Sequence, residues 1–198
     1  QTCDGEYVQG LCPGPTNWQC CVPGTCGEGK GGESGKDCSL IELTKKFSIF
    51  AEKSCISKEK IKRILENANS PAVDCYDEFI TYGESYGIDP TIALGFFRQE
   101  SGFGKEGEAR YTKSIGNIKY SKDCKEFGGK RVHGYCGFDN WCDSVNYWYH
   151  FINGRGYVGS GLVTVDDIIR KYAPESDGND VKLYTCNIKK WAQEWRDS

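Results

Sequence analysis

The distribution of cysteine constrains this chain more than any other feature. Of 198 residues 12 are cysteine; five of them fall within QTCDGEYVQGLCPGPTNWQCCVPGTC, including the adjacent Cys20 and Cys21, and the others are spread singly as far as Cys186. An even number at this density implies a disulfide framework made in an oxidising compartment. Clustered cysteines also serve zinc, but no C-x-x-C pair occurs, and His133 and His150 lack partners at zinc-site spacing. No metal and no cofactor is therefore expected, and all 12 cysteines are expected to pair within the chain.

The cysteine-dense opening has turn residues throughout and no helical periodicity, so only covalent bridges would hold it folded. GEGKGGESGKD follows and reads as a flexible connection or exposed loop. Two units are expected: a disulfide-rich module with its Gly-rich connection over 1–37, and a catalytic domain over 38–198. A start at Gln1, without a signal-like apolar run or a stretch of membrane-spanning length, fits a mature secreted chain that does not enter a membrane. The net charge of -3 and pI of about 5.5 supply no global positive field for nucleic acid or an anionic wall. A monomer is expected.

From Cys55 onward the periodicity becomes helical. Ser57 is placed to cap a helix, with Ile56 stapled to Ile61 across its first turn, and Ile61, Ile64, Leu65 and Ala68 share one face. Ser70 and Pro71 open a second helix carrying Val73, Phe79 and Ile80 and ending near Gly83 and Gly87. Asp89 and Pro90 open a third, TIALGFFRQE, which stops at SGFG. Residues 105–136 are rich in Gly, Lys and polar side chains, and read as loops with a short hairpin. Helices return with the stripe Trp141, Val145, Trp148 and Ile152. A helix capped by Thr164 follows, and a last one carries Tyr184, Ile188, Trp191 and Trp195. The fold class is mainly α.

Glu100 stands out chemically. Phe97 and Phe96 lie three and four residues before it, with Ile92 and Ala93 one turn further back, so its carboxyl extends an apolar stripe. Desolvation there disfavours the charged form and raises the pKa, as a general acid needs in order to keep its proton near neutral pH, and the carbonyl end of a helix disfavours the charge further. From spacing alone, an amphipathic helix ending in an exposed Glu is an equal reading.

The segments ISKEKIKRILENANSP, YGIDPTIALGFFRQESGFG and KSIGNIKY, then FDNWCDSVNYWYHFI and TVDDIIRKYAPESDGNDVKLY, together resemble the glucosaminidase-type peptidoglycan hydrolases. These are close to glycoside hydrolase family seventy-three within the lysozyme superfamily. The resemblance covers about Cys55 to Arg196 and implies an α+β lysozyme-like fold. It places the proton donor at Glu100, with Ser101 and Gly104 completing its E-S-x-x-G element. The S-x-G-N-I element falls on Ser114, Gly116, Asn117 and Ile118 and implies a segment that runs beside the catalytic Glu and lines the sugar cleft, with Asn117 either bonding substrate, positioning Glu100 or forming a turn beside Gly116. Tyr172 matches a tyrosine facing the catalytic centre, although it also continues the apolar stripe of Ile168 and Ile169. Asp177, Gly178, Asn179 and Asp180 match a D-G-N element that N-capping of the last helix equally explains.

Hydrolysis calls for a base, a nucleophile or help from the substrate's own acetamido group. Asp123 and Glu126 lie where relatives place a base, and spacing selects neither. Cys124 and Cys136 depart from the bacterial pattern and imply a cross-linked lobe. Burial is the expected use of Trp141 and Trp148, whereas Tyr111, Tyr120 and Tyr157, in loops, are candidate subsite contacts. The opening segment resembles a cysteine module of fungal secreted cell-wall hydrolases, with Trp18 and Tyr7 as possible contacts, and bracing is preferred to binding for so short a piece. The expectation is a secreted fungal muramidase acting on peptidoglycan glycan strands, the alternatives being an endo-β-N-acetylglucosaminidase and a noncatalytic wall-binding protein.

Overall fold

The computed structural model describes residues 6–9, 19–22, 47–51 and 54–197. In the cysteine-dense segment β1 (Glu6–Gln9) and β2 (Gln19–Val22) pair antiparallel, with Tyr7 opposite Cys21 and Val8 opposite Cys20. The boundary expected at 37/38, Trp18 and the bracing role of the module lie outside the described residues.

The rest is mainly helical, and the cap chemistry sets where each helix begins. Ser57 accepts the Lys60 N–H at the head of α1 (Lys58–Asn67), and Ile56 and Ile61 are both buried, as a staple requires. The second helix starts later than Ser70 and Pro71 imply. Ser70 spends its hydroxyl on the Ala72 N–H and the Phe103 carbonyl, so a single 3-10 turn, Val73–Cys75, intervenes before α2 (Tyr76–Tyr86). Gly87, at φ 66°, ends α2 in the left-handed region that favours glycine.

Helix α3 (Pro90–Ser101) is the axis of the molecule. Every residue from Pro90 to Phe97 is buried, so it is enclosed on all sides rather than amphipathic. The neighbours that enclose it are α2, α6 (Trp141–Asn153) and α8 (Val181–Asp197). Gly95 permits the closest of these approaches, because a Cβ there would sit 3.0 Å from Ile188 Cδ1. A mid-helix glycine costs about 1 kcal/mol against alanine, and here the close packing of α8 offsets it. Asp89 fixes the start of α3. Its Oδ1 accepts the Thr91 N–H at 2.8 Å, and its Oδ2 pairs with Arg196 from the last turn of α8.

Residues 105–136 form a small lobe. Besides the expected hairpin, β3 (Lys130–Val132) and β4 (Tyr135–Gly137), it holds two helices that periodicity does not reveal, α4 (Ala109–Thr112) and α5 (Lys122–Glu126). Both are too short to show a repeat. Thr164 caps α7 (Val165–Tyr172) as expected, and Asp180 accepts the Leu183 N–H in the first turn of α8. Disulfides join Cys75 to Cys142, tying the starts of α2 and α6, and Cys124 to Cys136, tying α5 to β4. Cys55 and Cys186 are also disulfide-bonded. Among the described residues, no helix is long and apolar enough to cross a membrane.

Candidate active site

Glu100 sits in the last turn of α3, where the chain makes an abrupt turn. Gly102, Phe103 and Gly104 have φ of 54°, 62° and 87°, a run of left-handed conformations. Ser101 holds this turn by accepting the Gly104 N–H at 2.9 Å, and Gly104 leaves room for Trp141, whose Cη2 would lie 2.7 Å from a Cβ at that position. The E-S-x-x-G element thus has a local explanation. Its Ser and second Gly shape the backbone that presents the Glu, and buried Ser101 does not line the cleft.

The Glu100 carboxylate is held on both oxygens. The Tyr184 hydroxyl donates to Oε1 at 2.5 Å, and Asn117 Nδ2 donates to the Glu100 carbonyl at 3.2 Å and, at longer range, to Oε2 at 3.4 Å. Burial is the largest influence on this carboxyl and pushes its pKa above the ordinary carboxylate range; the bonds from Tyr184 and Asn117 pull in the opposite direction and only moderate the rise. The same surroundings push the buried phenols of Tyr184 and Tyr172 well above their ordinary range, burial first and the nearby Glu100 charge second. Tyr184 therefore remains a donor.

Glu100 opens into a cleft of about 220 Å³ lined by Glu108, Asn117, Tyr135, Tyr172, Ala173 and Asn179. Asn117 adopts φ 45° and also reaches Glu100, so its turn-forming and positioning roles coexist. Its Oδ1 is buried and has no protein partner. Tyr172 likewise serves the core and the cleft. Its ring meets Phe96 edge-on at 4.9 Å, and its hydroxyl donates to the Gly116 carbonyl, fixing the segment before Asn117. Gly116 must be glycine, because a Cβ would fall 2.5 Å from both Trp148 Cδ1 and the Tyr172 hydroxyl.

Other expected site residues lie elsewhere. Ser114 and Ile118 are buried and belong to the packing beneath Asn117, while Tyr120 is half-buried against the core and Tyr135 takes the cleft position. Tyr157 is buried; Tyr111 is exposed on α4. Trp141 and Trp148 are buried as expected. Asp123 and Glu126 are exposed on α5 and do not line the cleft. The carboxylate that does is Glu108, whose Oε2 lies 2.9 Å from His133 Nδ1 at the hairpin tip.

Two residues escaped the sequence reading. Tyr184 looked like one more member of an apolar stripe, and its only distinguishing signal was a hydroxyl at a position facing the end of α3. Glu108 lies in a segment without periodicity, so nothing assigned it a face. The ligand atoms of Cys75, Glu78 and Cys142 cluster within 4.8 Å, but the two sulfurs are joined to each other and leave no thiolate for a metal. No protein-family model, curated protein or solved structure matches the chain.

Proposed function

We propose that this chain is a secreted peptidoglycan hydrolase of the lysozyme type, a muramidase that cleaves the β-1,4 bond between N-acetylmuramic acid and N-acetylglucosamine with Glu100 as general acid. The observation that carries this reading is a carboxyl desolvated at a helix end, opening into a cleft, with one oxygen occupied by a phenol. Because Tyr184 donates to Oε1, the dissociable proton of Glu100 belongs on Oε2. From there it passes to the glycosidic oxygen as the bond to the anomeric carbon breaks. Asn117 Oδ1, a buried acceptor without a partner, is available to a hydroxyl or N–H of the sugar. Glu108 is the second carboxylate of the cleft, and the contact of its Oε2 with His133 Nδ1 at 2.9 Å orients it to take a proton from an attacking water.

The E-S-x-x-G and G-N-I elements support catalysis over mere wall binding, since a binding protein gains nothing from a desolvated acid. They leave glucosaminidase as the second reading of the bond cut. Glu100→Gln keeps the shape of the protonated acid and removes its proton, so turnover on purified peptidoglycan should fall by about 10² to 10⁴ with little change in melting temperature. Glu108→Gln should also lower turnover, and Asp123→Asn and Glu126→Gln should not. Mass spectrometry of the released reducing ends identifies the bond, and N-acetylglucosamine ends would replace the muramidase reading with the glucosaminidase one. A folded Glu100→Gln variant with near-normal lysis would remove the acid from its role.

A further inference from the structure

The charge of this chain is unevenly placed. Residues 105–136 hold eight Lys and Arg against four Asp and Glu, a net of +4, although the whole chain carries -3; everything outside the lobe therefore sums to -7. All eight cationic side chains are exposed. Lys130 pairs with Asp139, and Lys113 donates to the Asp139 carbonyl. Among the described residues, Lys105, Arg110, Lys119, Lys122, Lys125 and Arg131 enter no ion pair, whereas the acid nearest the cleft, Glu108, has His133 as its partner.

The fold gathers four of these cations around the hairpin. Arg131 stands opposite Cys136 in the hairpin, Cys136 is bonded to Cys124, and Cys124 lies in α5 between Lys122 and Lys125. Lys119 forms an isolated antiparallel bridge with Tyr135, which lines the cleft. The disulfide thus holds three unpaired cations around one cross-link, and a fourth borders the cleft itself.

We propose that this lobe is a docking surface for a wall-borne anionic polymer of the phosphodiester type, which holds the enzyme beside the glycan it cuts. The proposal rests on the peptidoglycan reading above. Four of the six unpaired cations are lysines, point charges without the fork that recognises one anion bidentately, and they lie on an open surface rather than in a built pocket. Such an array fits a flexible chain with one negative charge per repeat. Peptidoglycan itself, which carries amines as well as carboxylates, matches it less well.

The test uses the full-length Glu100→Gln protein, so that binding is read without lysis, on purified Gram-positive sacculi. One portion keeps its phosphodiester polymers and the other is stripped of them with hydrofluoric acid. Binding should be stronger to the unstripped sacculi and should fall steeply with salt, as counterion release dictates. Lys122→Glu/Lys125→Glu/Arg131→Glu, all exposed positions, should lower that binding about tenfold or more at low salt. The same triple change in the wild-type background should leave release of reducing ends from stripped sacculi unchanged. Equal binding to both kinds of sacculi, or an unaffected triple variant, overturns the docking proposal. Absence of reducing ends with wild-type protein on stripped sacculi instead overturns the peptidoglycan reading.

Discussion

The helical body and the basic lobe meet at one cleft but are held together by different physics. In the body, Phe96, Phe97, Leu94 and Ile92 are fully enclosed, and neighbouring helices interlock through side chains such as Ile188 against Gly95. In the lobe no helix exceeds five residues and no strand exceeds three, so the Cys124–Cys136 bridge, the Glu108–His133 contact and bonds such as Phe138 N–H to the Thr112 carbonyl replace an extensive core. The acid proposed for catalysis is thus built on the long buried helix of the body, while the second carboxylate of the cleft and the cationic surface sit on the lobe of short elements.

The widest separation between the two should come from truncating the body. Phe97→Ala empties a site packed against Phe79, Phe103 and Trp141, and should cost about 3–5 kcal/mol in denaturant unfolding with cooperativity retained. A smaller loss would mean that the body collapses around the cavity. Opening the lobe comes next. Cys124→Ala/Cys136→Ala removes a bridge of sequence separation 12 and should cost about 2–3 kcal/mol, with hydrogen exchange accelerated in 105–136 before it rises in α3. Uniform acceleration across both regions would break the distinction.

How far each region was legible in the sequence follows from the same physics. Repeats of apolar residues and cap chemistry marked α1, α3, α6, α7 and α8, because burial on one face and orphan N–H groups at helix starts leave traces in residue order. The late start of α2 left none, since the Ser70 hydroxyl bonds Phe103, which lies 33 residues away. Glu100 was legible through Phe96 and Phe97, being their helical neighbour, and Asn117 through its motif. Tyr184 was not, because what distinguishes it from Trp191 or Ile188 is a bond to a residue 84 positions away. The roles of Glu108 and Asp123 were likewise decided by tertiary placement alone.

Tyr184→Phe sharpens the electrostatic side at about 1.5–3 kcal/mol, the scale of a hydrogen bond to a charged group. That bond lowers the Glu100 pKa, so losing it raises the pKa further and moves the alkaline limb of the pH–rate profile to higher pH. A limb that stays in place or moves down would show that the phenol does not govern this carboxyl. The sign for stability is set by the rise itself. The favourable contribution of protonated Glu100 is complete below 4.5 and is lost as pH climbs through the raised folded value, so Glu100→Gln should gain stability relative to the wild type above that window. The smallest effect belongs to His133→Ala, an exposed contact worth at most about 1 kcal/mol in melting experiments. Its signature is a fall in kcat with near-normal stability, because Glu108 loses the neighbour that orients it.

The Asp89–Arg196 pair carries a consequence for how the site comes into being during translation. The two residues are 107 positions apart, and Arg196 and Tyr184 both belong to α8. While a nascent chain still lacks that helix, α3 has no partner along the Gly95 face and Glu100 has no phenol. Its carboxyl then stays in water with an ordinary affinity for its proton. The chemistry proposed for Glu100 is therefore acquired only once α8 has been made, when α8 closes over α3 and the acid is desolvated and gripped in the same step.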